Sequence, residues 1–88
     1  MSQVALTYED LVEEVKRIIQ EALDDPEIII KVTRVPLDRP EFVVISDAFA
    51  HLTQMERQER LWEPIRSRLG PDAQRIALIL PRTWDDVR

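Results

Sequence analysis

Apolar residues recur at Leu11, Val12, Val15, Ile18, Ile19, Ala22 and Leu23, the spacing that lines one face of a helix, while Glu9, Glu13, Glu14, Lys16, Arg17 and Gln20 fall on the other. Thr7 stands three residues before Asp10, a variant of the capping box, and the acids Glu9 and Asp10 sit in a first turn whose dipole favours them. The pattern predicts an amphipathic helix from Thr7 to about Asp24–Pro26. The period then changes. Glu27–Val35 and Glu41–Ser46 are dense in β-branched residues and read as two strands, joined through Pro36-Leu37-Asp38-Arg39-Pro40, which is too proline-rich to extend either. An antiparallel pair with a loop of about five residues is expected.

A second capping box, Thr53-x-x-Glu56, and a terminating Gly70-Pro71 bound a second helix from about Gln54 to Leu69. Met55, Trp62, Ile65 and Leu69 form its apolar stripe, with Leu61 beside it, and Pro64 is expected to kink or divide it. Arg75–Leu80 reads as a third strand closed by Pro81. A right-handed crossover through the second helix sets this strand parallel to the second. The fold class is therefore α+β: an α-β-β-α-β two-layer sandwich with a three-stranded mixed sheet and both helices on one face. A single domain spans 1–88, with an ordered core of about 6–84.

Composition narrows the function. A chain of 88 residues buries only roughly two-thirds of its unfolded surface, so a deep enclosed active site is not expected. The hydrophobic fraction of 44% and charged fraction of 33% are those of a globular chain. The absence of cysteine excludes disulfides, thiolate metal sites and thiol nucleophiles, and suits a reducing compartment such as the cytoplasm. Neither a targeting segment over Met1–Leu6 nor a membrane-spanning run is read from the sequence, so no membrane association is expected. Net charge is −5, divided unevenly: residues 1–48 hold five Lys/Arg against eleven Asp/Glu, a balance of −6, and residues 49–88 hold seven Arg against six acids, a balance of +1. A nucleic-acid role would have to come from the second half.

Candidate chemistry is sparse. The single histidine, His51, lacks the partners of a transition-metal site, and the Ser46-Asp47…His51 trio lacks the spacing and glycine of a nucleophile elbow. Gly70 is the only glycine, which excludes the dinucleotide fingerprint, the Walker loop and the Gly-x-x-Gly clamp of KH domains. No catalytic residue, metal ligand or cofactor is assigned, and the chain is not expected to be an enzyme. Arg57, Arg60 and Arg68 fall within one stripe of the second helix, readable as a solvated face or as a surface for a phosphate backbone or acidic partner. Trp84 either packs back over the sheet or is exposed as a contact. Apolar alternation in all three strands, including Ile28, Ile30 and Val32 or Ile29 and Val35, suggests a homodimer hiding what the helices leave uncovered.

The element order and particular residues resemble the BolA family, small domains with a class II KH-like fold. Val43-Val44-Ile45-Ser46-Asp47-Ala48-Phe49 is similar to that family's strand exit, Thr53–Arg57 to the start of its second helix, and Arg75-Ile76-Ala77-Leu78 with Thr83 to its last strand and terminal turn. The resemblance covers about Leu6 to Val87. It implies a protein partner of the glutaredoxin type, with which family members share an iron-sulfur cluster through His or Cys ligands. Here Gln58 follows the helix arginine where the family commonly has His, Ile76 aligns with its characteristic His, and Pro36–Pro40 holds neither His nor Cys. The expectation is an interaction domain that has lost cluster ligation, with a KH-like nucleic-acid binder using the arginine stripe as the alternative.

Overall fold

The computed structural model describes residues 6–88, so the reading of the first five residues as free of a targeting segment lies outside it. Helix α1 spans Tyr8–Leu23 and is capped as expected, the Thr7 hydroxyl accepting from the Asp10 N–H at 3.1 Å. It buries Leu11, Val12, Val15, Ile18, Ile19 and Leu23, and Asp24 ends it in the left-handed conformation. Strands β1 (Ile29–Val35) and β2 (Arg39–Ile45) pair antiparallel, and β3 (Leu78–Arg82) lies parallel to β2, giving the order β1-β2-β3. Helix α2 spans Gln54–Leu69 between β2 and β3. The α-β-β-α-β order and the mixed three-stranded sheet are as the sequence predicts.

Boundaries differ for local reasons. β1 begins at Ile29 rather than Glu27, because the Asp25 carboxylate accepts from the Glu27 N–H at 2.9 Å and folds that stretch into a turn. The hairpin loop is three residues, not five: Val35 pairs with Arg39, and Pro40 lies inside β2 opposite Arg34. The N and C=O of a strand residue point to the same side, and the Pro40 carbonyl accepts from the Ala77 N–H at 2.8 Å. The missing Pro40 N–H therefore faces β3, and the ladder to β1 is not interrupted.

β3 starts three residues later than expected because Gly70–Arg75 continues from α2 as a 3-10 turn. Ile76 thus lies before the strand. Pro81 does not close β3 but pairs with Val44 inside it, a placement that an edge strand tolerates. Helix α2 runs unbroken across Pro64, whose missing N–H leaves the Arg60 carbonyl without its helical donor. The core joins the buried face of α1 to Phe42, Val44, Phe49, Leu61, Ile65, Ala73, Ile76 and Ile79. Met55, expected on the apolar stripe of α2, is 73% exposed, whereas Leu61 and Ile65 are fully buried. Met55 lies in the first turn of the helix, and the burial starts only at Leu61.

Candidate interaction surface

The three stripe arginines have separate fates. Arg57 is largely buried and holds two distant segments: its Nε donates to the Leu52 carbonyl at 3.2 Å and its Nη1 to the Asp86 carboxylate at 3.0 Å. Arg68 reaches across to α1 and pairs with Glu21 at 2.6 Å. Arg60 alone has no acidic partner within salt-bridge distance among the described residues, and it lines a shallow concavity with Leu52, Glu56, Glu59 and Glu63. The helical spacing is as the sequence implied, but two of the guanidinium groups are already engaged by carboxylates. Their phosphate-binding capacity is reduced accordingly.

Trp84 is half-buried and stands at the mouth of the C-terminal 3-10 turn, its backbone N–H donating to the Asp47 carboxylate at 3.3 Å. It is not part of the core cluster. Trp62, placed in the core by its spacing, is also half-buried. With Arg66, Gly70, Ala73, Gln74 and Ile76 it lines an open groove of 380 Å³, and the Arg66 guanidinium lies 5.4 Å from its ring centre.

The positions where the family resemblance would put ligands are structurally occupied. The Gln58 amide donates to the Ile79 carbonyl at 3.1 Å and accepts from the Trp62 indole N–H at 2.9 Å, tying α2 to β3. Ile76 is 4% exposed within the core. The Ser46–Asp47–His51 trio does not assemble either. Ser46 is buried, and its hydroxyl donates to Asp25 at 2.6 Å while accepting from the Ala48 N–H at 3.1 Å. That bond, with the Glu27 N–H, holds the Asp25 carboxyl below its ordinary range. His51 is exposed. Among the described residues no group of three His, Cys, Asp or Glu side chains could hold a metal ion, and no helix is long and apolar enough to cross a membrane.

The sheet face away from the helices presents a different pattern. Phe42, Val44 and Ile79 point into the core, so alternation places Ile29, Lys31, Thr33 and Val35 of β1, Arg39, Glu41, Val43 and Ile45 of β2, and Leu78, Leu80 and Arg82 of β3 on the opposite face. The register aligns them in rows: Ile29–Ile45–Arg82, Lys31–Val43–Leu80, and Thr33–Glu41–Leu78. No helix packs there. Ile29 and Leu78 are 40% and 42% exposed, and Val43 and Leu80 are half-buried.

The strand alternation leaves open whether Ile28, Ile30 and Val32 or Ile29 and Val35 face outward; Ile28, Ile30 and Val32 pack against the core, and Ile29 and Val35 lie on the helix-free face. Lys31, Val43, Leu78, Leu80 and Arg82 share a surface only through the register, which pairs Lys31 with Val43, 12 positions on, and Val43 with Leu80, 37 positions on.

Compared with known proteins, the chain matches no protein-family model and no curated relative.

Proposed function

We propose that the chain is a small, non-catalytic, BolA-like protein-interaction domain that works without ligating an iron-sulfur cluster. The observation that carries this reading is the helix-free sheet face, where Ile29, Val43, Leu78 and Leu80 remain partly open to solvent in a molecule whose helices already enclose a full core. A contiguous apolar surface of this kind is what a binding partner covers. The cluster-free part rests on Gln58, whose amide is engaged on both sides, and on Ile76, which has no lone pair to offer iron and is buried.

A cytoplasmic setting suits a chain without cysteine. The resemblance makes a glutaredoxin-type protein the first partner to test. Titrating a purified monothiol glutaredoxin with the full chain should give a colourless complex without iron. An iron-sulfur absorption spectrum that depends on this chain would contradict the reading, as would titration showing no complex with any glutaredoxin or other protein. The nucleic-acid alternative has weaker support, because Arg57 and Arg68 are paired with Asp86 and Glu21 and the clamp glycines are missing.

A further inference from the structure

The rows of the helix-free face resolve into a diagonal. From Ile29 at the start of β1 it passes Val43 on β2 and Leu80 on β3, ending at Leu78; Ile45, between Ile29 and Val43 in the register, is 4% exposed and adds no open surface. Crossing three strands and four residues of rise, this apolar stripe is about 16 Å long. That is about three turns of α-helix, and the three-stranded sheet, about 10 Å between its outer strands, matches the width of one helix. Cations flank the stripe on both sides: Arg82 beside Ile45 and Leu80, and Lys31 beside Ile29 and Val43. Arg39 extends the same charge at the end of β2, and Glu41 is the face's only acid.

The face thus carries a local balance of +2 on a chain whose net charge is −5. None of Lys31, Arg39 and Arg82 has an acidic partner within salt-bridge distance among the described residues; the ion pairs of the chain involve other residues. Apart from Glu41 the acids stand elsewhere, five of them, Glu9, Asp10, Glu13, Glu14 and Glu21, on α1 on the far side of the sheet.

We infer that this face docks an acidic amphipathic helix of a protein partner, its apolar side on the Ile29–Leu78 diagonal and its carboxylates on Lys31 and Arg82. The inference rests on the interaction-domain reading and names the chemistry of what is bound. Two other occupants fit less well. A second copy stacked face to face would set three cations against three cations, with Glu41 from each copy as the only relief. Single-stranded nucleic acid is bound on open sheets by aromatic side chains that stack bases, and this face carries no aromatic residue.

The test uses the full chain and three synthetic peptides of about three helical turns. One has Leu along one face and Glu along the other, the second has Lys in place of Glu, and the third scrambles the first. Fluorescence anisotropy should show binding of the Glu peptide, with the Lys and scrambled peptides at least about tenfold weaker. Amide shifts should cluster at Ile29, Lys31, Val43, Leu78 and Leu80. The pair K31E/R82E, both exposed or half-exposed, should keep the fold by circular dichroism and lower Glu-peptide affinity by about tenfold or more. L80D should do the same by opposing the apolar contact.

No binding of the Glu peptide, equal binding of the Lys peptide, shifts confined to α2, saturable binding of a single-stranded RNA oligomer on this face, or a dimer that buries the face without peptide would each overturn the inference. A glutaredoxin or other protein complex unaffected by K31E/R82E would overturn it while leaving the interaction-domain reading in place. Absence of any protein complex would remove both.

Discussion

Arg57, near the start of α2, donates from Nη1 to the Oδ2 of Asp86, 29 residues later, at 3.0 Å. The same carboxylate accepts from the Thr83 N–H at 2.9 Å, while the Thr83 hydroxyl accepts from the Asp86 N–H at 3.2 Å. The C-terminal turn therefore closes a reciprocal cap on itself and is clasped to the helix by one arginine. This explains why an arginine that the sequence offers as a binding residue is largely buried.

The clasp has a pH signature. The Thr83 N–H, first, and the Arg57 guanidinium, second, hold the Asp86 carboxyl below the ordinary aspartate range. A carboxyl lowered in the folded state contributes stability that is present above its unfolded value and lost as pH falls through the folded one. Between about pH 5 and pH 2, the protection of the Asp86 and Val87 amides, measured against their intrinsic exchange rates at each pH, should fall in the parent chain. Asp86→Asn should flatten that dependence, and Arg57→Glu should loosen the turn already at neutral pH without altering affinity for oligonucleotides. An unchanged acid limb in Asp86→Asn would mean that the turn is held by packing alone.

Gln58 is the second tie between α2 and the strands. Gln58→Ala leaves the Ile79 carbonyl and the Trp62 indole N–H without their partners and should cost about 1–3 kcal/mol in urea unfolding. Gln58→Glu keeps the acceptor for Trp62 but sets a carboxylate against the Ile79 carbonyl, so it should destabilise more at neutral pH than at pH 4. Equal stability of both variants and the parent would show that water replaces the amide at no cost.

How legible these features were depends on their range in sequence. Both helices, their threonine caps and the Gly70 terminus follow from contacts within a few residues, and α2 matches its expected bounds at both ends. The parallel direction of β3 relative to β2 follows from the crossover rule. The structure departs from the sequence pattern where prolines and short turns decide: Pro40 and Pro81 read as strand breakers, because a sequence does not say which side of a strand the missing N–H faces. The arginine stripe failed differently. Its spacing was real, but Glu21 and Asp86, the acids that occupy Arg68 and Arg57, come from α1 and the C-terminus. The basic diagonal on the sheet was hidden for the same reason, since its residues converge only through pairing between distant strands.

The hairpin tip carries removable strain. Leu37 has φ 69° and is 89% exposed, so its side chain is held in the left-handed region without burying anything in return. Leu37→Gly should raise stability by roughly 0.5–1 kcal/mol, net of the added freedom of the unfolded chain. The midpoint of urea unfolding measures this. A lower midpoint would show that Leu37 makes a contact that its exposure conceals.

Ile76→His separates a lost ligand position from a core position. Ile76 is 4% exposed, its N–H donates to the Ala73 carbonyl at 3.2 Å, and its own carbonyl accepts from Arg39 at 3.5 Å. An imidazole introduced there loses apolar packing and buries a polar ring, at a cost of about 2–4 kcal/mol. Burial disfavours the charged ring, so the folded value of the new histidine should lie below its unfolded value of about 6.5. Protons then bind preferentially to the unfolded chain, and stability should fall further as pH drops below about 6.5. No group of three potential ligands stands ready among the described residues, so the variant should gain no affinity for zinc or iron. Urea unfolding at pH 8 and pH 5.5, with a parallel metal titration, reads both effects. A variant as stable as the parent that binds metal through the new ring would place residue 76 at an open site rather than in the core.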